Sequence, residues 1–265
     1  MRAFGDIVLN ELKLGPYGIR LEEVIHGSPG TFIENKDGTI DVHGHVDISH
    51  KELKHIPWQF RRVMGNFICN DNFLKTLQGC PENVRGMFDC SGNTLTSLVG
   101  GPKHVGSSYT CADNRLLSLE GVAEDIGRYF NCNDNSRLVS LETCPKGVYG
   151  AIYFSNCGLR SLIGIPTVIR GSFNCGGNNL TTLQDGPRIV NGDFNCEYNG
   201  LTNLIGGPSR VDGEYDCRNN PLVSLEGKAK EISDEFKYPK EEMMKLIGTG
   251  QLEDRTEIEI STDIF

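Results

Sequence analysis

The chain has no apolar run long enough to cross a bilayer, which argues against a helical membrane protein. A secretory leader is not visible either. Where one would need an unbroken apolar core, residues 7–14 read I-V-L-N-E-L-K-L, with Asn10, Glu11 and Lys13 inside it. Positive charge is in deficit: 26 Lys and Arg against 35 Asp and Glu give a net charge of −9. That is the wrong sign for non-specific binding to nucleic acid or an anionic membrane. The hydrophobic fraction, 38%, is modest, whereas glycine is plentiful at 32 residues. Both suit a thin body that turns many corners.

What the chain does contain is one sentence repeated. It reads G-M-F-D-C-S-G-N-T-L-T-S-L from Gly86, G-S-F-N-C-G-G-N-N-L-T-T-L from Gly171 and G-D-F-N-C-E-Y-N-G-L-T-N-L from Gly192. A fixed internal period decides the architecture before any local reading does. Cys69, Cys90, Cys111 and Cys132 are 21 residues apart, as are Cys175, Cys196 and Cys217. Phe154 fills the slot between the two runs, 22 after Cys132 and 21 before Cys175. The extra residue falls in the turn Asn133–Arg137, where an insertion leaves the flanking strand faces unchanged.

Three further columns keep step. An aromatic or aliphatic residue lies two before each slot: Phe67, Phe88, Tyr109, Phe130, Ile152, Phe173, Phe194 and Tyr215. Asn lies three after it, from Asn72 to Asn220, except that Cys157 replaces one. Leucine pairs three apart follow, from Leu74 and Leu77 to Leu222 and Leu225. Eight repeats are clear, and Val46, Ile48, Leu53, Ile56 and Pro57 mark a degenerate one before them. F-x-C between polar residues reads as a short half-buried strand, and stacked repeats set such strands in parallel about 4.8 Å apart. The Asn amide, with two donors and an acceptor, suits the backbone of a tight turn and its neighbour. Gly and Pro near each repeat's end exclude a long return helix and predict an extended segment or one 3-10 turn.

L-x-x-L followed by F-x-C-x-x-N-x-L resembles the leucine-rich repeat pattern, with Phe and Cys where that family prefers Leu. The short period and the proline in the return resemble compact repeats of bacterial effectors and phage-encoded proteins. The resemblance covers residues 44–227. It implies a leucine-rich-repeat-like solenoid with a single parallel sheet, and a binding scaffold in place of an enzyme. It allows a phage accessory or counter-defence protein or a bacterial effector; the absence of a visible leader and of an apolar span sets the expected location as the cytoplasm of a bacterium or an infected host cell. Seven of the ten cysteines sit one per repeat at one inward position, which fits reduced core thiols and a reducing compartment rather than a disulfide framework.

Residues 1–43 are expected to form an N-terminal cap. Asp6–Leu14 reads as a short amphipathic helix, Gly27–Gly30 as a turn, and Thr31–Val42 as a hairpin about Lys36-Asp37-Gly38. Residues 228–265 are expected to close the other end, with a helix over Pro239–Ile247, a strand over Thr256–Ile260 and an acidic tail.

Several groups could carry chemistry. His43, His45 and Asp47 share a strand face, with His50 and His55 nearby, and two imidazoles and a carboxylate suit zinc. This supports an alternative reading as a metal-dependent protein or enzyme, set against plain solvated residues. Cys80, Cys144 and Cys157 lie outside the regular column, but no His falls within ten residues of any of them. The row Thr76, Ser97, Ser118, Ser140, Ser161, Thr182, Asn203 and Ser224 is one residue wide and mostly Ser. It suits local backbone bonding better than ordered water.

The outward strand face is the expected site. Tyr129 and Tyr153 should be diagonal neighbours near its middle, among Asn131, Asn174 and Asn195. Asp193, Glu197, Glu214 and Asp216 concentrate negative charge on the last strands and point to a basic partner. The expected function is therefore non-enzymatic binding of a protein, with no cofactor. A structural component of a larger particle is a further alternative.

Overall fold

The computed structural model describes residues 18–27 and 32–248. Within them the chain winds into a β-solenoid of about nine stacked turns, one turn per 21-residue repeat. The F-x-C segments form the first ladder. Eleven two- or three-residue strands lie side by side, from Ile25–His26 and His45–Asp47 to Phe236–Lys237. All neighbours are parallel except Ile25–His26, which pairs antiparallel with His45–Asp47 and closes the N-terminal edge. The register is the one the repeat dictates: Phe67 faces Phe88, Phe88 faces Tyr109, and Tyr109 faces Phe130. The ladder runs on beyond residue 227 into Phe236–Lys237, so Phe236 takes the next place in the aromatic column.

The return segments are extended, and they pair with one another in place of leaving a single sheet. Their two-residue strands, Asn83–Val84, His104–Val105, Asp125–Ile126 and their equivalents, make a second parallel ladder. Each supplies a buried β-branched residue: Val84, Val105, Ile126, Val148, Ile169, Val190 and Val211. These stiff side chains fit a pleated, half-buried surface. The hairpin Phe32–Glu34 and Ile40–Val42 forms as the Asp-Gly turn predicts, and Ile40–Val42 starts this ladder against Phe60–Val63. The second ladder is interrupted once. Seven strands end at Gly147–Val148, and four resume at Val168–Ile169.

The core is the column set read from the sequence. Every Cys of the regular column, every ladder aromatic from Phe67 to Tyr215 and both leucines of most pairs are buried. All ten cysteines are free and buried. The aromatic rings form two runs, one from Trp58 to Phe154 and one from Phe173 to Tyr238. Where the runs break, Ile152 and Phe154 exchange the usual sizes of the two inward positions. Phe154 then meets Phe130 at 5.7 Å between centroids.

The asparagines are the inner frame. Asn93 donates Nδ2 to the carbonyls of Cys69, Cys90 and Ser91 at 3.0–3.1 Å and accepts from Leu74 N at 2.9 Å. Each such side chain thus ties its own turn of backbone to the one before it. The hydroxyl row does bond locally, as Ser161 Oγ accepts from Ile163 N at 3.1 Å and Ser224 Oγ from Glu226 N at 3.0 Å. Helix is limited to Leu21–Val24 and Lys240–Gly248 among the described residues. The predicted helix over Asp6–Leu14 and the predicted strand over Thr256–Ile260 lie outside them.

Candidate functional site

The outward face of the first ladder is built from two alternating columns. One holds Asp47, Ile68, Asp89, Thr110, Asn131, Tyr153, Asn174, Asn195 and Asp216. Its Asp and Asn members are engaged by their own backbone. Asp89 Oδ1 accepts from Ser91 N at 2.9 Å, Asn131 from Asn133 N at 3.1 Å, Asn174 from Gly176 N at 2.9 Å, Asn195 from Glu197 N at 2.9 Å and Asp216 from Arg218 N at 3.0 Å. These are Asx turns that end each strand, so Asn131, Asn174, Asn195 and Asp216 have a structural task first. A period-21 column of Asx two residues before a turn was visible in the sequence and carries that signal. Burial raises the Asp89 carboxyl above its usual value, against the pull of the two Ser91 hydrogen bonds.

Two tyrosines, one from each column, stand out on this face. Tyr129 and Tyr153 meet edge to face, with ring centroids 6.2 Å apart. Tyr129 is exposed and Tyr153 half-buried. Tyr153 belongs to the strand Ile152–Tyr153 and Tyr129 immediately precedes the neighbouring strand Phe130–Asn131, near the middle of the array.

The acidic end is less free than its sequence suggests. Asp216 is buried and held by Arg218, whose Nε and terminal nitrogen donate to its two oxygens at 3.0 and 2.6 Å. Lys237 pairs with Glu214. Asp193 Oδ1 accepts from Glu214 N at 3.0 Å, and Glu197 Oε1 accepts from Asn195 Nδ2 at 3.1 Å. Lys237 was hard to foresee as a partner, because its strand lies in the segment expected to be a cap.

The corner between the ladders is a glycine seam. Gly65, Gly86, Gly150, Gly171, Gly192 and Gly213 fill one position, and Gly106 and Gly127 fill the position before it. A Cβ on Gly106 would lie 2.3 Å from Arg85 O, on Gly127 2.1 Å from Gly106 O and on Gly150 2.6 Å from Arg128 O. At each of these glycines the neighbouring turn approaches too closely for a side chain. The residue beside the glycine does carry one, and beside Gly127 it is Arg128. Beside it, across the interruption in the second ladder, the Arg170 guanidinium lies 4.8 Å over the Tyr149 ring.

The histidine group does not gather. His43, His45 and His50 are exposed. His45 Nδ1 accepts from Asn66 N at 3.0 Å, and Asp47 is committed to Ser49 N and Oγ at 3.0 and 2.6 Å. Burial raises the Asp47 carboxyl, but those bonds outweigh it and hold the group below its usual range. Among the described residues no three His, Cys, Asp or Glu side chains come together as metal ligands would. The off-column thiols are buried too. Burial pushes Cys144 and Cys157 up to about 12, far from the thiolate a nucleophile needs. Among the described residues no helix is long and apolar enough to cross a membrane.

Neither a family model nor a curated protein matches the chain. What the geometry defines is its class, a β-solenoid of stacked parallel turns.

Proposed function

We propose that the protein is a non-enzymatic interaction module of the leucine-rich solenoid type, which binds a partner protein through the outward face of its first ladder. The observation that carries this reading is the Tyr129–Tyr153 pair, two aromatic rings in contact with each other on the outward face near the middle of the array, where the other ladder aromatics from Phe67 to Tyr215 are buried. Tyrosines bury area with little loss of side-chain entropy, and a rigid sheet needs no rearrangement to receive a partner. Roles as a phage accessory protein or a bacterial effector accord with such a module. The acidic end contributes less to this reading, because Arg218 and Lys237 already take up Asp216 and Glu214.

The test compares proteins captured from the native host by the wild type and by Tyr129→Ala/Tyr153→Ala. One partner should be retained by the wild type and by a Tyr198→Ala control, and lost from the double variant. That loss corresponds to about 2 kcal/mol or more of binding free energy. Thermal unfolding should be the same for all three. Equal capture by the double variant would place the function on another face.

A further inference from the structure

We propose that the corner formed by Arg128, Tyr129, Tyr149, Tyr153 and Arg170 receives an acidic segment of the partner, with its carboxylates against the two guanidinium groups. This rests on the reading that the first-ladder face binds a protein, and it names the chemistry of that protein.

The geometry supplies a continuous surface. Tyr129 and Tyr153 pair on the ladder face, and Tyr149, 55% exposed, lies with Arg170 on the other side of the corner. Between Tyr149 and Tyr153 the chain passes through Gly150, Ala151 and the inward-facing Ile152. The seam is therefore nearly bare between the two aromatic pairs, and a peptide could lie close to the backbone there. Arg128 borders the same stretch, immediately before Tyr129.

The charge supplies the partner. Elsewhere on this chain carboxylates hold some of the arginines: Asp41 pairs with Arg61, Asp212 with Arg210 and Asp216 with Arg218. Among the described residues neither Arg128 nor Arg170 makes an ion pair, in a chain of net charge −9. The Arg170 guanidinium sits over a tyrosine ring and the side chain is exposed, within reach of a carboxylate from solvent. Arginine forks donate to carboxylates in bidentate fashion, and tyrosine and arginine are both enriched among the residues that dominate binding surfaces.

The experiment selects a displayed library of short random peptides on the purified protein. Enriched sequences should be rich in Asp and Glu. Their affinity should fall about tenfold or more with Arg128→Glu or Arg170→Glu, and should weaken as salt rises. Arg85→Glu, an exposed arginine of the same corner two turns before Tyr129, should leave it unchanged. Basic or uncharged peptides that still require Tyr129 and Tyr153 would overturn the acidic partner and leave the binding face standing. Acidic peptides indifferent to both arginine reversals would overturn it as well. Peptides that bind Tyr129→Ala/Tyr153→Ala undiminished, or a selection with no enriched sequence, count against face and partner together. Circular dichroism of each variant confirms that it is folded.

Discussion

The hydroxyl of Tyr109 occupies room left by Gly101: a Cβ on that glycine would lie 3.3 Å from the phenolic oxygen. Tyr215 and Gly207 repeat the relationship at 3.1 Å. Both rings are fully buried, and neither hydroxyl has a hydrogen-bond partner. Burial pushes both phenols well above their usual pKa. An unpaired buried hydroxyl costs about 1–3 kcal/mol. Tyr109→Phe and Tyr215→Phe are therefore expected to be neutral or to stabilise by about 1 kcal/mol. Gly101→Ala should destabilise by about 1–3 kcal/mol, because its Cβ would press on Leu77 Cδ1 at 2.9 Å and Leu98 O at 3.0 Å. Urea unfolding midpoints decide it. A clear loss of stability in Tyr109→Phe would mean that the hydroxyl is bonded after all.

The thiols should make the fold sensitive to alkali. Burial raises Cys144, Cys157 and Cys217 to about 12 and holds Cys80, Cys90, Cys111, Cys175 and Cys196 up as well, from an ordinary value of 9.0. Above pH 9 the unfolded chain loses these protons and the folded chain keeps them. Stability is thus fully present below that pH and is lost progressively toward pH 12. Denaturant midpoints across this range should fall steeply in the wild type and less in variants with several Cys→Ala changes. At pH 8 the native protein should resist thiol reagents, whereas the denatured chain should titrate all ten cysteines.

The asparagine ladder should be costly to interrupt except at its natural gap. Asn93→Ala strands Leu74 N–H and takes one of two amide donors from each of the Cys69 and Cys90 carbonyls, and should cost about 3 kcal/mol. Cys157 fills an Asn place with a thiol that reaches Cys132 O at 3.3 Å. Here Leu138 N, the donor an Asn would have satisfied, is bonded to Asn135 O at 2.8 Å. Cys157→Ala should cost only about 1 kcal/mol. Equal losses at the two positions in thermal or urea unfolding would sink this account.

The columns that build the core were legible because each is a single residue type at a constant interval: Cys69 to Cys217, the aromatics and the leucine pairs. The second ladder was not seen, although Val84, Val105, Ile126, Val148, Ile169, Val190 and Val211 keep the same interval six residues before the Cys slot. Two-residue strands are too short to show alternation, so only the period marks them. The Tyr129–Tyr153 contact was readable, since period and pleat together place residues diagonally. The state of the acidic residues was not. Whether Asp216 faces solvent or Arg218 depends on side-chain reach, and the pairing of Glu214 with Lys237 depends on a strand formed one turn further on. The one-residue insertion and the missing Asn look like two irregularities in the sequence, but they are one. The longer turn gives Leu138 N–H a local acceptor, which relieves position 157 of its asparagine.

The interruption between Val148 and Val168 bears on how the molecule shares load. In a stacked array each turn is held only by its neighbours, so cooperativity cannot exceed that of the weakest junction. At every other internal junction both strand ladders continue. Here only the first does, with the turn bond from Asn179 N to Leu159 O beside it, and Lys146 Nζ on Gly164 O and Arg170 on Tyr149 reaching over the gap on the other side. The solenoid is then two elastic segments in series, and the proposed binding corner sits on the joint between them. A ligand gripping both Arg128 and Arg170 would splint that joint, so occupancy and stiffness become one and the same variable.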